Sequence, residues 1–271
     1  MKRSLESMDE SRYIRYNEQA WDREVDRKSI WTDGLTEEEL QKALSGTVEI
    51  RLTTYKPMPS AWLGDLAGKR VLAVGSGGGQ QAILFALAGS EVTLLDLSGK
   101  QLEQDRTMAN RLGLELTLIK GDMRDLSQFD VEDFDIVFNP ASTVFIDDVR
   151  SFYRECARVL KPKGVFLTSI TNPVLYLFDE RLALKNKLKV KYTLPYSDIR
   201  SLSRKRIEKM IKTGDTFEFS HTLADLLGGL GDAGFIIEGV YSDRCGFELL
   251  DSFIADAYLA VRATKRLPHD S

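Results

Sequence analysis

Residues 71–80 read Val-Leu-Ala-Val-Gly-Ser-Gly-Gly-Gly-Gln, and they decide the fold of this chain. Their apolar half predicts a short buried strand, and glycines after a strand let the backbone turn tightly and approach a ligand closely. Asp96 closes the next apolar run, 21 positions after Gly75. An acid at the end of that second strand is placed to accept hydrogen bonds from ribose hydroxyls. The pattern therefore predicts a site for a cofactor that contains a nucleoside.

The spacing of the glycines bears on which cofactor is bound. The pattern G-x-G-x-x-G is typical of turns that hold the pyrophosphate of a dinucleotide at a helix N-terminus. Here Gly75, Gly77 and Gly79 give G-x-G-x-G, and Gln80 occupies the sixth position. This form disfavours a dinucleotide. It resembles motif I of the class I S-adenosylmethionine-dependent methyltransferases, whose cofactor carries no phosphate.

Strands and helices alternate along the chain from Lys69 onward. Apolar runs and helical periodicity predict elements in a regular series, with strands over 71–74, 92–96, 116–119, 134–138 and 165–170, helices over 80–88, 99–112 and 149–160, and a turn at 161–164. A helix over 221–233 and strands over 235–240 and 258–263 complete the series. Such alternation predicts an α/β fold with a mostly parallel sheet and helices on both faces.

The polar residues of the motifs fall at corresponding places in this series. Gly75, Asp96, Asp122 and Asn139 each end or closely follow a predicted strand. Ligands of open parallel sheets bind in the crevice at the carboxyl ends of the strands. We therefore expect these four residues to surround one crevice.

Residues 1–62 precede the alternation, and we predict that they form a cap. A helical pattern runs through Trp21, and Thr36 with Glu39 forms a possible capping box. Alternating apolar residues over 48–52 predict a short strand.

Residues 173–219 interrupt the alternation and are predicted to be a second covering segment. Alternation over 188–194 is typical of a half-buried strand, and 201–212 is a basic stretch with helical character. Residues 181–212 carry a net charge of +9, so the remainder carries −13. This block is expected to face solvent, or to attract an anionic substrate. No aromatic-and-basic pattern typical of RNA-binding modules accompanies it, so we expect no nucleic-acid partner.

Composition places the chain among ordinary globular proteins. It has 271 residues, 43% hydrophobic and 29% charged, with a formal net charge of −4. No apolar run approaches the length that spans a membrane, and residues 1–10 lack the apolar stretch of a secretory signal. Cys156 and Cys245 are far apart and have no His partner at ligand spacing, so neither a disulfide framework nor a metal site is expected. The sequence predicts a cytoplasmic protein without a membrane partner.

The chain from about residue 69 to 264 resembles a class I methyltransferase, and more narrowly a bacterial branch of that family. The resemblance is carried by Ser76-Gly-Gly-Gly-Gln-Gln81, Asp96-Leu-Ser98, Gln101-Leu-Glu-Gln-Asp-Arg106, Asn172-Pro-Val-Leu-Tyr-Leu-Phe-Asp179, Tyr16-Asn17 with Trp21, and Phe219-Ser-His-Thr222. It implies a Rossmann-like sheet of seven strands whose last strand is antiparallel. It also implies residues 63–271 as the methyltransferase domain, with 1–62 as the cap and 173–219 as an insertion.

The resemblance also implies which residues contact the cofactor, S-adenosyl-L-methionine. Those expected in the site are Gly75, Ser76, Gly77, Gly78, Gly79 and Gln80 at the methionine portion, Asp96 at the ribose, Leu97, Asp122 and Met123 at the adenine, Asn139 and Pro140 after the fourth strand, and Trp21 as a lid. Ala141 and Ser142 follow where some amino-methyltransferases carry an aromatic platform. That departure disfavours methylation of a DNA base or of a glutamine side chain.

Several of these residues also have a purely structural explanation. Asp122 is compatible with a surface turn, Asn139-Pro140 with the end of a strand, and Trp21 with packing. His221 precedes Thr222 near a helix start, which suits a structural role as well as catalysis.

The predicted function is in-line transfer of a methyl group to a small molecule. An activated methyl donor needs the acceptor held in attack geometry, and a hydroxyl or protonated amine also needs a base. His221, Tyr192 and Tyr196 are candidate bases, and the sequence does not choose between them. Two alternatives stay open: an NAD(P)-dependent oxidoreductase on a Rossmann scaffold, which Gln80 disfavours, and a non-enzymatic regulator that binds S-adenosylmethionine.

Overall fold

A sheet of seven strands organises the computed structural model, which describes residues 10–29 and 31–267. The strands are β1 Arg70–Val74, β2 Glu91–Asp96, β3 Leu116–Lys120, β4 Phe134–Asn139, β5 Leu160–Thr171, β6 Phe235–Asp243 and β7 Tyr258–Lys265. Their order across the sheet is β3-β2-β1-β4-β5-β7-β6. The pairs from β3 to β5 are parallel, and β7 runs antiparallel to both β5 and β6. The predicted fold class is therefore confirmed, including the antiparallel last strand.

Helices connect these strands and cover both faces of the sheet. They are α1 Glu10–Asp26, α2 Glu37–Leu44, α3 Gln81–Leu87, α4 Gly99–Leu112, α5 Val149–Val159, α6 Glu180–Ala183, α7 Asp198–Ser201, α8 Arg204–Thr213, α9 Gly229–Asp232 and α10 Glu248–Asp251. Alternate residues of β1 enter different cores, because successive side chains of a strand point to opposite faces. Leu72 packs with the aromatic residues of α5, whereas Val71 packs with α3 and with Leu52 of the N-terminal segment.

The strand predicted over 48–52 does not form. Ile50 and Leu52 are buried as the alternation required, but the segment has no partner strand. Its backbone is held instead by the Arg51 amide, which donates to Gln81 Oε1 at 2.8 Å, and by the Met58 amide, which donates to the Ile50 carbonyl at 2.7 Å. Alternation predicted burial correctly, and the pairing was wrong because a glutamine side chain and a local main-chain hydrogen bond satisfy this backbone.

The strand predicted over 188–194 is also wrong. Residues 188–194 form one isolated antiparallel bridge, between Val190 and Phe178, and Val190 is 63% exposed. Lys191 turns to Asp179, with Nζ 2.5 Å from Oδ2. The alternating residues therefore belong to a projecting loop and not to the sheet.

Two further elements differ from the predicted ones in detail. The predicted turn at 161–164 lies inside β5 as an irregularity, where the register shifts between the pairs Phe134–Leu160 and Ile136–Val165. The helix predicted over 221–233 divides into a π-helical turn, Ala224–Gly228, and α9.

Helix α1 is fastened to the segment after α8 by a buried amide. Asn17 is 1% exposed; its Nδ2 donates to the Phe217 carbonyl at 3.0 Å, and its Oδ1 accepts from the Phe217 amide at 2.8 Å. Tyr13 packs against Phe219 with ring centroids 4.8 Å apart. The N-terminal segment and the insertion therefore support each other.

Among the described helices, none combines the length and apolar character that a membrane crossing requires. Residues 1–9, 30 and 268–271 lie outside the described residues, so the expectation drawn from the first ten residues and the outer ends of the predicted domains are not addressed by the structure.

Replacement of Asn17 by alanine should destabilise the protein substantially. The change leaves two buried backbone groups of Phe217 without partners, which costs on the order of 2–4 kcal/mol of the free energy of unfolding. Urea denaturation measures the loss. Gln19→Ala, which removes an exposed side chain from the same helix, is the matched control and should cost less than about 0.5 kcal/mol. Equal losses in the two variants would contradict an anchoring role for Asn17.

Candidate functional site

A cavity of about 250 Å³ opens at the carboxyl ends of the parallel strands. Its floor comes from the loops after β1, β2, β3 and β4, which agrees with the predicted crevice. Its roof comes from the N-terminal segment and consists of Ile14, Trp21, Trp31, Arg51, Leu52, Thr53 and Thr54. None of the lining residues belongs to the insertion at 173–219.

Glycine is required at the turn after β1 by space and by backbone conformation. Gly75 has a φ of 57°, and a Cβ there would lie 2.7 Å from Ser142 Oγ and 2.8 Å from Met123 Cε. A Cβ on Gly77 would lie 2.8 Å from the Cβ of Gln101. Side chains at these positions would therefore collide with the floor of the cavity.

Asp96 fixes the turn and closes the floor beside it. Its Oδ2 accepts from the Gly77 amide and its Oδ1 from the Ser98 amide, each at 2.9 Å. Burial raises the pKa of Asp96 to about 6, although the Ser98 and Gly77 amides oppose that rise. The carboxylate retains lone pairs for further donors, which suits the hydroxyl groups of a ribose.

Asp105 of α4 holds the same turn from the side away from the cavity. It is fully buried, and its Oδ2 accepts from the Gly78 amide at 2.7 Å. Burial raises the pKa of Asp105 to about 7, while the Gly78 and Gly79 amides lower it. In the sequence this residue stood out only as part of the stretch Gln101–Arg106 that carries the family resemblance, and no role was predicted for it.

A pair of glutamines at the start of α3 fastens the roof to the floor. Gln80 Nε2 donates to the Asp33 carbonyl, and Gln81 Oε1 accepts from the Arg51 amide at 2.8 Å. A second link between roof and floor is aromatic: Trp21 meets Phe145 edge to face, with ring centroids 5.0 Å apart. The roof is therefore held to the floor by polar contacts and by an aromatic contact.

Several buried polar atoms around the cavity have no hydrogen-bond partner among the described residues. They include Ser76 Oγ, Gln101 Oε1 and Arg51 Nε. Buried polar groups normally find hydrogen-bond partners, and these three atoms find none within the described protein. Donors and acceptors together suit a ligand that carries hydroxyl, amino and carboxylate groups.

The structure brings together most of the residues predicted to contact the cofactor. Those that line the cavity are Trp21, Gly75, Ser76, Gly77, Gln80, Asp96, Leu97, Asp122, Met123 and Pro140. Gly78 and Gly79 lie in the turn but outside the lining. Asn139 is also outside: its Nδ2 donates to the Val74 carbonyl at 2.9 Å and to Ser142 Oγ at 2.6 Å, so it ties the loop after β4 to the end of β1.

Asp122 lines the cavity but already has a cationic partner. Arg124 Nη2 lies 2.8 Å from Asp122 Oδ2, and Arg124 Nη1 lies 2.8 Å from Asp147 Oδ1. Tyr13 of α1 donates to the same Asp147 oxygen at 2.6 Å. This chain of contacts connects the floor after β3 to the roof.

None of the three candidate bases lines the cavity. His221 is buried, and its Nε2 donates to the Thr143 carbonyl at 3.0 Å; burial lowers the pKa of this histidine. Tyr196 donates to Asp198 Oδ1 at 2.6 Å, and its ring lies 5.0 Å from that of Tyr192. These contacts give His221 and Tyr196 structural roles.

Among the described residues, no group of three His, Cys, Asp or Glu side chains is placed to hold a metal ion. The lining residues that were not predicted as cofactor contacts lie in the roof, on α4 and after β4, chiefly Arg51, Thr53, Thr54, Gln101 and Phe145. Gln101 begins one of the stretches that carry the resemblance, and that was the available signal for it.

The stability of the Asp105→Asn variant should rise relative to the wild type as pH increases. The native pKa of Asp105 is about 7 against an unperturbed 3.8, so its stabilising contribution is complete below about pH 4 and is lost toward pH 7. Asparagine does not titrate, so the difference in unfolding free energy should grow by about 1 kcal/mol per pH unit across this range. Urea denaturation at several pH values measures it. Glu103→Gln, which replaces an exposed carboxyl group of the same helix, is the matched control. Parallel profiles for wild type and Asp105→Asn would contradict the raised pKa.

Comparison with known proteins gives consistent matches. The methyltransferase domain family matches residues 72–168. The chain is 40% identical over 252 residues to the uncharacterized methyltransferase YbaJ of Bacillus subtilis. The aligned region covers 93% of this chain and 98% of YbaJ. A ubiquinone biosynthesis O-methyltransferase of Alkalilimnicola ehrlichii is 36% identical over 118 residues, covering 43% of this chain and 48% of that protein. The structure of an S-adenosylmethionine-dependent methyltransferase from Mesorhizobium loti matches with a TM-score of 0.57 at 21% identity, covering 76% of this chain and 94% of that chain.

The Mesorhizobium loti structure shows the fold, and YbaJ, which aligns over nearly the whole chain, shows the family. Together they decide between methyl transfer and the two alternatives that the sequence left open. With the glycine turn and Asp96 placed at one cavity, the conclusion is that this chain belongs to the class I S-adenosylmethionine-dependent methyltransferases.

Proposed function

We propose that the cavity at the strand ends holds S-adenosylmethionine and presents its methyl group to a small, partly apolar acceptor. The bound cofactor supplies a methyl group on a positively charged sulfur. Asp96 accepts from the ribose, Leu97 and Met123 pack against the adenine, and Asp122 shares its carboxylate between Arg124 and the adenine amino group. The unpartnered Ser76 Oγ, Gln101 Oε1 and Arg51 Nε around the cavity support this assignment.

The aromatic contact between Trp21 and Phe145 is the observation that carries the acceptor assignment. With Ile14 and Ile146 these rings give one part of the cavity an apolar wall. Apolar walls with a few polar groups are typical of sites for small molecules. Trp21 belongs to the roof, so the acceptor lies under the N-terminal segment and not in an open track.

The basic stretch does not support an anionic acceptor. Lys185, Lys187 and Lys189 are exposed on the projecting loop and lie outside the cavity lining. Among the described lining residues the cationic side chain is Arg51, which is paired with Glu39. Tyr176 and Tyr196 stack on each other and line no part of the cavity. We therefore replace the earlier expectation with an acceptor that is recognised mainly by its apolar surface.

A relative supports a small-molecule acceptor without identifying it. The Alkalilimnicola protein is a ubiquinone biosynthesis O-methyltransferase, and the aligned region covers about half of it. We also propose that nucleic acid is not a partner, because the exposed lysines lie away from the roofed cavity. Free thiols at Cys156 and Cys245 support a cytoplasmic location.

The proposed organisation has residues 1–62 as cap, 63–271 as methyltransferase domain, and 173–219 as an insertion. The cap supplies the roof directly. The insertion acts one step away, since its Phe217 holds Asn17 and the Phe219 amide donates to the Val144 carbonyl at 2.7 Å.

Asp96→Ala should weaken the binding of S-adenosylhomocysteine by about 1.5–3 kcal/mol, because hydrogen bonds to a charged acceptor are lost. Isothermal titration calorimetry measures the affinity, and wild type should bind S-adenosylhomocysteine but not NADH. Glu91→Ala, at the exposed start of the same strand, is the control and should bind as wild type does. Unchanged affinity in a folded Asp96→Ala protein would remove Asp96 from the site.

Methyl transfer should label small molecules and not nucleic acid. The protein is incubated with S-adenosylmethionine that carries a tritiated methyl group and, separately, with metabolite extract, RNA and DNA. Phe145→Ala should lower the rate of transfer to the extract by about tenfold, from the lost apolar contact. Phe253→Ala, whose ring is 73% exposed, is the matched control and should not change it. Label in RNA or DNA, or an equal rate for both variants, would refute the acceptor assignment.

A further inference from the structure

The buried carboxylate of Asp105 has no role in the proposed chemistry and does not line the cavity. It lies in the middle of α4, is fully buried, and accepts from the Gly78 amide at 2.7 Å. Its other oxygen, Oδ1, is buried without a hydrogen-bond partner among the described residues, and the Gly79 amide lowers the pKa of the carboxyl group. Gly78 and Gly79 both have positive φ, at 117° and 76°. Successive amides in such a turn form a concave site for an anion, and here the anion belongs to the protein itself.

Three amides of this turn are engaged within the chain. Gly75 donates to the Leu95 carbonyl at 2.8 Å, Gly77 to Asp96 at 2.9 Å and Gly78 to Asp105 at 2.7 Å. In turns that bind dinucleotides, amides of this kind face the pyrophosphate. Here a pyrophosphate would have to displace the buried carboxylate of Asp105 and would also face the carboxylate of Asp96.

Packing alone does not account for an aspartate at this position. Aspartate is a poor residue for a helix interior, and burial of a carboxylate is unfavourable unless hydrogen bonds compensate for it. An apolar side chain would serve the contact between α4 and the core better. A buried acid held against the glycine turn therefore has a role other than stabilising the fold.

We propose that Asp105 is a positioning residue that determines cofactor specificity, because its carboxylate fills the anion site of the glycine turn. It holds the turn in the shape that receives a phosphate-free cofactor, and it prevents pyrophosphate from binding to the turn. This inference rests on the proposed binding of S-adenosylmethionine in the adjoining cavity. Asp105 acts through Gly78 and Gly79 and does not touch the ligand.

Binding of two probes to three variants tests the proposal. S-adenosylhomocysteine and ADP-ribose are titrated by calorimetry into wild type, Asp105→Ala, Asp105→Asn and the surface control Glu103→Gln. Asp105→Ala should bind S-adenosylhomocysteine at least tenfold more weakly and ADP-ribose at least tenfold more tightly than wild type. Asp105→Asn keeps an acceptor for the Gly78 amide, so its affinity for S-adenosylhomocysteine should stay within threefold of wild type. Glu103→Gln should match wild type for both probes.

The gain of ADP-ribose binding separates this proposal from a merely structural role, which would only weaken both probes. Equal affinities of wild type and Asp105→Ala for both probes would overturn it, as would loss of affinity for both. If Asp105→Ala fails to fold, amide hydrogen exchange on wild type and Asp105→Asn replaces it. The Gly78 amide should be protected in both, and fast exchange in wild type would overturn the proposal. Failure of wild type to bind S-adenosylhomocysteine would instead refute the proposed function.

Discussion

Two buried carboxylates hold the turn after β1, and the site depends on that constraint. Asp96 arrives from the neighbouring strand and Asp105 from the helix after it, and each accepts one amide of the turn. Without them the glycines would be free to adopt many conformations, because glycine restricts the backbone least. These two hydrogen bonds fix the conformation of the glycine turn and so give the cavity a defined surface. The strand order then places that surface beside the loops after β3 and β4, which complete the floor.

The roof is held by contacts of a different kind. Gln80, Gln81 and Asn17 bind main-chain groups of distant segments, while Trp21 and Phe145 contribute an aromatic contact. Amide side chains suit this purpose because they donate and accept at once. The position of the roof is therefore set by two glutamine side chains of the floor, which bind its backbone, and by the backbone of Phe217 in the insertion, which binds Asn17. The apolar residues of the roof shape the cavity below.

Local patterns in the sequence predicted the sheet and most of the floor. The turn, Asp96 and the residues after β3 could be placed because each follows an apolar run, and parallel strands align their ends. Alternation failed at 48–52 because it reports which side chains are buried in an extended segment, not which backbone pairs with that segment. At 188–194 it also failed on burial, since Val190 is 63% exposed. Asp105 lies in the stretch Gln101–Arg106 that carries the resemblance, but its role was not predicted, because a single acid in an amphipathic helix has no local signature. The contacts of Arg51 with Gln81 and of Asn17 with Phe217 join residues far apart in the chain, and no periodic pattern records such contacts.

The sharing of one core by the sheet and the N-terminal segment has a consequence for cooperativity. Ile50, Leu52 and Met58 belong to the same buried cluster as Val71 and Leu94. A fluctuation that detaches Ile50, Leu52 and Met58 from this cluster therefore uncovers one face of the sheet and cannot remain local. Ligand-binding covers are often the least stable part of a protein. Here the inner edge of the cover unfolds only together with the sheet, so the binding site keeps its shape for as long as the protein stays folded.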